Sequence, residues 1–194
     1  MGFMTLLYAG KPPAVASSTT LDPANTHADI TLSNGNLTAL QTGGAGFRTS
    51  RTVASYSSGK KYFKATWDNT TSDPGFGFGN SSTTTNNYLG SSINSVGYHN
   101  DSNVYQTGGA NTTYTTGDVT EVAFDIGAQL IWVRKNSGNW NNNGSADPAT
   151  GTGGFSTSYL GAGPYYGFIC LQGNPGQVTL DFSGSTAPSG FSGL

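Results

Sequence analysis

The stretch from residue 116 to residue 140, TGDVTEVAFDIGAQLIWVRKNSGNW, constrains the fold of this chain more than any other part of it. Residues 119–125 place Val122 and Phe124 on one face and Glu121 on the other, with the period of two that is typical of a β-strand. Residues 130–133 are apolar on both faces, as in a strand that is covered on both sides. Gly127 can take the positive φ that a two-residue hairpin turn needs. We therefore predict two paired strands at the centre of an all-β domain.

The composition indicates one folded domain with a neutral surface. A chain of 194 residues is long enough for a β-sandwich or barrel with a single core. Only 9% of the residues are charged and the net charge is -2, so no basic surface exists to hold nucleic acid. Aromatic residues make up 12% and can form a core, while Gly, Ser, Thr and Asn provide turns and hydrogen-bonding groups. The only cysteine, Cys170, lies in an apolar strand and is predicted to be buried and unreactive.

Short strands separated by turns continue along the rest of the chain. Asn34-Gly35 is a strong hairpin signal between two predicted strands. The run GFGFG is predicted to be a strand whose glycines let another layer approach closely. No segment has sustained helical periodicity, so the predicted fold class is all-β. The further predicted strands are residues 29–32, 37–40, 59–67, 75–79, 89–98, 104–106, 165–171 and 177–182, with Trp67 and Trp132 in the core.

The first twenty residues differ from the predicted domain. Residues 1–8 are apolar and are followed by a Pro- and Ser-rich linker, so the domain itself is predicted to span residues 21–194. We predict that residues 1–20 form an anchor peptide and linker, because four large apolar side chains would otherwise be exposed to water. A frayed terminus is the alternative. No apolar run approaches the length of a membrane span, so no membrane insertion is expected. The predicted anchor residues are Phe3, Leu6, Leu7 and Tyr8.

Between residues 59 and 184 the chain resembles the SPRY (B30.2-like) domain. The matching segments are GKKYFKATW, PGFGFG, LGSSINSVGYHN, TTGDVTEVAFDIGAQLIWVRKNSGNW, YYGFICLQ and VTLDFSG, in the family's order and spacing. Lys64 departs from the family, which often has an acidic residue there. The resemblance implies a concanavalin-like, two-sheet antiparallel β-sandwich of jelly-roll type. It also implies a protein that binds partners through loops, with no cofactor and no catalysis. The polar insertion at residues 141–154 resembles those of phage and prophage structural proteins.

The sequence offers no obvious catalytic or metal site. Glu121 is the only glutamate and lies inside a strand, whereas glycosidases need two carboxylates that face each other across a sugar. His27 and His99 are the only histidines, and no nucleophile motif accompanies them. The run Asn100-Asp101-Ser102-Asn103 fits either an oxygen-ligand calcium site or a solvated turn, and the turn is preferred. We therefore expect no enzymatic activity, no cofactor and no metal.

Recognition by a neutral surface remains as the predicted role. Amides and hydroxyls provide directional hydrogen bonds, and exposed aromatic faces provide apolar contact area for sugars or protein loops. The long polar loop after Trp140 is the expected ligand-facing edge, although Trp140 can instead fold back over the sandwich. Of Tyr165 and Tyr166, one is expected to face the core. The predicted ligand-binding residues are Trp140, Asn139, Asn141, Asn142, Tyr98, His99 and Tyr165.

These features favour a virion structural protein, a capsid or tail appendage of a bacteriophage. Its N-terminal segment would attach it to other virion proteins, and its lectin-like domain would bind host-surface carbohydrate or other virion proteins in many copies per particle. Such a protein is made in the host bacterial cytoplasm and becomes part of the virion without an export signal. The alternatives are a cellular SPRY-type module for protein-protein interaction and, more remotely, a glycan-active enzyme.

Overall fold

A computed structural model describes residues 19–194, which fold into two stacked sheets of seven strands each. No described helix is long and apolar enough to cross a membrane, and the helical content of this part is one 3₁₀ turn, Trp140–Asn142. The strands are β1 Leu21–Thr26, β2 Ile30–Ser33, β3 Thr38–Gln41, β4 Phe47–Thr52, β5 Lys60–Asn69, β6 Gly75–Asn80, β7 Ser95–His99, β8 Asn103–Tyr105, β9 Gly109–Ala110, β10 Val119–Asp125, β11 Leu130–Lys135, β12 Phe155–Ser156, β13 Tyr165–Gln172 and β14 Gln177–Asp181.

All neighbouring strands in the two sheets are antiparallel. The first sheet has the order β1-β4-β13-β6-β7-β8-β9, and the second has the order β12-β11-β10-β5-β14-β3-β2. Strands that are distant in the chain therefore lie side by side, as β5 does between β10 and β14. The predicted all-β fold of two antiparallel sheets is confirmed.

The central hairpin forms as predicted, but its turn differs. Strands β10 and β11 pair from Thr120 opposite Lys135 to Asp125 opposite Leu130. The connection thus contains four residues, 126–129, and the left-handed residue is Gln129 with a φ of 52°. The prediction of a two-residue turn at Gly127 is wrong, because a four-residue loop places its positive φ at its last position instead.

Alternation along the strands separates an inner core from two outer clusters. Phe63 and Phe124 point into the space between the sheets, where rings from β6 meet them at centroid distances of 4.9–5.7 Å. Trp67 is also in this inner core and is completely buried. Tyr62 and Trp132 point the other way and are buried on the outer face of the second sheet. The predictions that Trp67 and Trp132 are core residues are both confirmed.

The glycines of β6 allow close approach, though to a neighbouring strand rather than to another layer. A Cβ on Gly77 would lie 2.1 Å from the carbonyl oxygen of Val96 in β7. A Cβ on Gly75 would lie 2.6 Å from Nε2 of His99. Phe76 and Phe78 alternate with these glycines and fill the inner core. The GFGFG run therefore presents phenylalanine rings to the inner core and has no side chains on its opposite face.

Other local predictions have mixed outcomes. The Asn34-Gly35 hairpin is present, with φ values of 52° and 64°, between β2 and β3. The strand predicted at residues 89–98 is confined to Ser95–His99, because residues 89–94 form a loop that covers the first sheet. Cys170 is fully buried, and burial raises the pKa of its thiol. The predicted anchor residues, Phe3 to Tyr8, lie outside the described residues.

Candidate functional site

Most of the predicted ligand-binding residues are not on the surface. Only Asn139 and Asn142 are exposed, and whether they bind a ligand stays a prediction. The prediction that the others are exposed contact residues is wrong, and for Trp140 the alternative that it folds back over the sandwich is the one observed. The buried members are Tyr98, His99, Trp140, Asn141 and Tyr165, with exposed fractions of 1%, 0%, 8%, 6% and 7%.

Trp140 packs against the outer face of the second sheet. The 3₁₀ turn carries its ring onto Tyr62 and Trp132. The guanidinium carbon of Arg134 lies 4.3 Å from the centroid of the Trp140 ring. The side chain is therefore buried between the sheet and Arg134 and contributes to packing.

Asn141 holds the loop that the sequence predicts to be the ligand-facing edge. Its side-chain oxygen accepts a hydrogen bond from the amide of Val133 at 2.9 Å. Its amide nitrogen donates to the carbonyl oxygens of Ile131 and Gly153 at 3.2 and 2.8 Å. Its φ of 50° is in the left-handed region, which asparagine tolerates better than most residues. The loop of residues 141–154 is therefore attached to the edge of β11.

His99 and Tyr98 belong to buried networks on the first sheet and in the core. His99 Nε2 lies 3.0 Å from the carbonyl oxygen of Leu89, and Nδ1 lies 3.3 Å from a carboxylate oxygen of Asp73. Tyr98 donates to the carbonyl oxygen of Thr112. Tyr165 packs its ring on Phe124, so it is the member of the Tyr165–Tyr166 pair that faces the core. These residues stabilise the sandwich.

In the turn at residues 100–103, the carboxylate oxygens of Asp101 accept hydrogen bonds from neighbouring residues. The Asp101 carboxylate accepts hydrogen bonds from the backbone and side chain of Asn103, at 2.9 and 2.6 Å, and from the Tyr105 hydroxyl at 2.7 Å. Burial acts to raise the pKa of Asp101, but these hydrogen bonds outweigh it and lower the pKa. In the described part of the chain, no three acidic, histidine or cysteine side chains converge as metal ligands would.

A concave site lined mainly by charged and polar residues lies on the outer face of the second sheet, beside Trp140, and we call it the charged pocket. Its volume is about 310 Å³, enough for one side chain or one small ring. Strands β5, β10 and β11 form its floor, and the turn after β11 and the C-terminal segment form its walls. The lining residues are Lys64, Val119, Glu121, Arg134, Asn136, Ser137 and Thr186.

A row of alternating charges crosses four strands at this pocket. Glu121 on β10 is opposite Arg134 on β11 and opposite Lys64 on β5. Lys64 is in turn opposite Asp181 on β14. Opposite charges directly across neighbouring strands stabilise a sheet modestly. The row also fixes where each charged group stands relative to the pocket.

Glu121 is the deepest charged group of the row, with an exposed fraction of 3%. It accepts hydrogen bonds from the Tyr62 hydroxyl at 2.5 Å and from Nη2 of Arg134 at 2.7 Å. The Tyr62 hydroxyl is also 2.9 Å from the hydroxyl of Thr186, which links the C-terminal segment to the network. Burial and the hydrogen bond to Glu121 raise the pKa of Tyr62. Glu121 thus holds the guanidinium group of Arg134 in place.

The rim of the pocket is also tied to the sheet. Lys64 Nζ lies 3.1 Å from the Asp181 carboxylate. Burial acts to raise the pKa of Asp181, but hydrogen bonds from Ser183 and Lys64 and the charge of Lys64 lower it overall. Asn136 accepts from the amide of Val119 at 2.8 Å. Preorganised polar groups of this kind are what a recognition site needs.

The charged pocket does not follow from the sequence pattern. Glu121, the only glutamate, stands out there only as a possible catalytic carboxylate. Arg134 and Glu121 occupy outward-facing positions of two strands that were predicted to pair, and this was the available signal. The positions of Lys64, Asp181 and Thr186 depend on pairings between distant segments.

Comparison with known proteins relates the fold to solved structures. No family model matches the sequence, and no curated protein matches it. The SPRY domain of human HERC1 has a TM-score of 0.67 and 16% identity, covering 83% of this chain and 96% of that one. A second human SPRY domain has a TM-score of 0.54 and 14% identity, covering 79% and 94%. Stonustoxin has a TM-score of 0.57 and 20% identity, covering 84% of this chain and 26% of the toxin. The chain therefore has the fold seen in SPRY domains.

Proposed function

We propose that this chain is a non-enzymatic recognition module that binds a segment of a partner polypeptide at the charged pocket. The observation that carries this proposal is Arg134, which is fixed at the pocket by the Trp140 ring at 4.3 Å and by Glu121 at 2.7 Å. A side chain held on two sides loses little conformational entropy when it contacts a partner. The SPRY fold supports the proposal only by analogy, because fold does not fix function.

The chemistry of the pocket favours binding over catalysis. The Glu121 carboxylate already accepts from Arg134 and Tyr62, and the Asp181 carboxylate is paired with Lys64. A general acid needs a carboxyl group that carries a proton near neutral pH, whereas hydrogen bonds from Ser183 and Lys64 and the charge of Lys64 outweigh burial and lower the pKa of Asp181. The two acidic groups therefore serve to position Arg134 and Lys64.

Blocking the pocket mouth tests the proposal. Ser137 is exposed and lines the pocket, so Ser137→Trp should fill the opening, although it places a bulky side chain at a φ of 58°. Peptides selected by the wild-type protein from a displayed random library should bind this variant about tenfold more weakly or worse, which is about 1.4 kcal/mol or more. The control is Ser72→Trp, at an exposed serine between β5 and β6 whose φ of 54° carries the same backbone strain. Selection of no peptide, or equal binding to Ser137→Trp, contradicts the proposal.

The finer proposal from the sequence is that this module belongs to a bacteriophage virion and attaches to host carbohydrate or to virion proteins. Its support is the phage-like insertion at residues 141–154 and the apolar residues before the domain.

Deleting the predicted anchor tests this proposal. Thr19 is buried and accepts a hydrogen bond from the amide of Ala54, so the deletion should end at residue 18. Mass spectrometry of purified particles should find the full chain and not the truncated one. Normal incorporation of the truncated chain would contradict the anchor prediction.

A further inference from the structure

Both ring nitrogens of His99 face oxygen atoms that accept hydrogen bonds. The side chain is completely buried over two glycines, where a Cβ on Gly75 or Gly97 would lie 2.6 or 3.1 Å from Nε2. Nε2 lies 3.0 Å from the carbonyl oxygen of Leu89. Nδ1 lies 3.4 Å from the carbonyl oxygen of Asp73 and 3.3 Å from its carboxylate. Carbonyl and carboxylate oxygens only accept, so the ring needs two N–H donors here.

A neutral imidazole does not satisfy this arrangement. It has one N–H and one bare nitrogen, so one nitrogen lone pair would face an oxygen lone pair inside the protein, which is costly for buried polar groups. The imidazolium form has two N–H donors and a positive charge that pairs with the Asp73 carboxylate. The second oxygen of that carboxylate, Oδ1, is buried without a hydrogen-bond partner among the described residues. The negative charge of Asp73 therefore depends on His99 for its compensation.

The other ionisable groups around His99 also favour a positive ring. Asp101, on the turn after β7, adds a second negative charge that interacts electrostatically with the ring. The rings of Tyr88 and Tyr105 lie edge-on to the imidazole, at centroid distances of 6.0 and 4.9 Å, and tyrosine hydroxyls are uncharged at neutral pH. Cys170 lies two strands away on β13, and burial raises the pKa of its thiol, so it is uncharged as well. Of these groups only the carboxylates carry charge, and they stabilise the imidazolium form.

We propose that His99 is doubly protonated in the folded chain and attaches the loop of residues 81–94 to the first sheet in a pH-dependent way. The attached residue is Leu89, which is completely buried in an apolar cluster on the face opposite the inner core. When one proton is released to water, the proton that remains stays on Nδ1, beside the negative charge of Asp73. Nε2 then has no hydrogen to donate, so the contact with Leu89 is lost and the loop opens more often.

Cys170 provides a reporter for this opening. It is the only cysteine of the chain and is completely buried in the same cluster as Leu89. Its Sγ lies 3.8 Å from the carbonyl oxygen of Asn87, which belongs to the loop. A thiol reagent in solution therefore reaches Cys170 when the loop moves away.

The two histidines of the chain provide a direct test and its control. Nitrogen NMR of the full-length protein with labelled histidine distinguishes a ring with two N–H groups from a ring with one. At pH 7, His99 should have two. His27 should have one, because its Nδ1 accepts a hydrogen bond from the amide of Asp29 at 3.0 Å. A bare nitrogen on His99 at pH 7 overturns the proposal, even if the missing proton is found on Asp73.

The labelling rate of Cys170 tests the attachment of the loop. The rate in the folded chain is divided by the rate for a peptide of residues 168–172 at the same pH, which removes the effect of pH on the thiol itself. This ratio should be constant while His99 keeps both protons. It should rise about tenfold as the ring loses one, since a hydrogen bond from a charged donor is lost. A ratio that does not change across this pH interval overturns the pH-dependent attachment.

Matched variants assign the change to this pair of residues. Asp73→Asn keeps the shape of the side chain but removes its charge, so His99 should be neutral at pH 7, with its proton on Nε2 and the loop still attached. The rise in the labelling ratio should then disappear. His27→Gln removes the other ring and should leave the rise unchanged. A rise that persists in Asp73→Asn, or disappears in His27→Gln, overturns the assignment. If Asp73→Asn does not fold, the nitrogen spectrum and the labelling ratio of the wild-type chain still decide the question.

Discussion

Trp140 stabilises the domain from outside the main core. Its ring is buried against Tyr62 and Trp132 and is covered by Arg134, so removing it leaves a cavity and uncovers the guanidinium. Trp140→Ala should lower the free energy of unfolding by about 3–5 kcal/mol, as truncation of a buried aromatic usually does. Equilibrium denaturation in urea measures this loss.

The same substitution separates packing from binding at this residue. Trp140→Phe keeps a ring in place and should cost clearly less than Trp140→Ala. If Trp140→Ala leaves the urea midpoint unchanged and removes peptide binding alone, the ring is an exposed contact residue and the burial described above is wrong.

At the scale of a single element, the loop of residues 141–154 depends on one side chain. Asn141 makes three hydrogen bonds to backbone groups, two of them on β11. Asn141→Ala would leave the amide of Val133 and the carbonyl of Ile131 without these partners. We expect a loss of about 1–3 kcal/mol in stability and faster hydrogen exchange across the loop.

The neighbouring residue provides a close control for this loop prediction. Asn142 has the same φ of 50° but is exposed. Asn142→Ala therefore carries the same backbone penalty without removing the contacts to β11, and it should be nearly neutral. Equal effects of the two substitutions would show that backbone strain, and not the hydrogen bonds, controls the loop.

This element also shows where sequence reasoning is strong and where it ends. The hairpin at Asn34-Gly35 is predictable because its turn chemistry is contained in adjacent residues. The run of asparagines after Trp140 has the composition of a mobile loop, and only the positions of the β11 backbone groups make Asn141 a buried residue. The positive φ at Gln129, in place of Gly127, likewise follows from the register of two strands.

At the scale of the whole molecule, the charged pocket exists because distant segments meet on one sheet. Residues on β5, β10, β11 and β14 form its charge row, and Thr186 from the C-terminal segment closes one side. That segment crosses the outer face of the second sheet, where Phe191 packs edge-on against Trp132. No single stretch of sequence contains these neighbours together. The fold class could be predicted from local patterns, whereas the pocket required the strand order.

The buried tyrosines lower the stability of the whole sandwich at alkaline pH. Burial raises the pKa of Tyr98 to about 12, from an ordinary value near 10, although the hydrogen bond to Thr112 acts in the opposite direction. Because the folded-state pKa is the higher one, the contribution of this group is complete below about pH 10 and is lost as the pH rises toward 12. In that interval the unfolded chain releases a proton that the folded chain keeps. Each such tyrosine then lowers the free energy of unfolding by about 1.4 kcal/mol per pH unit.

Replacing Tyr98 by phenylalanine tests this dependence. Tyr98→Phe removes the ionisable group, so the free energy of unfolding should fall less steeply between pH 10 and 12, by about 1.4 kcal/mol per pH unit relative to the wild type. The slope is the quantity to compare, because losing the hydrogen bond to Thr112 changes the stability at every pH. Urea denaturation at a series of pH values measures it, and near-ultraviolet absorbance reports tyrosinate formation. If the slopes of the two proteins are the same, Tyr98 ionises as readily in the folded chain as in the unfolded chain, and its buried hydroxyl does not contribute to the alkaline limit of this fold.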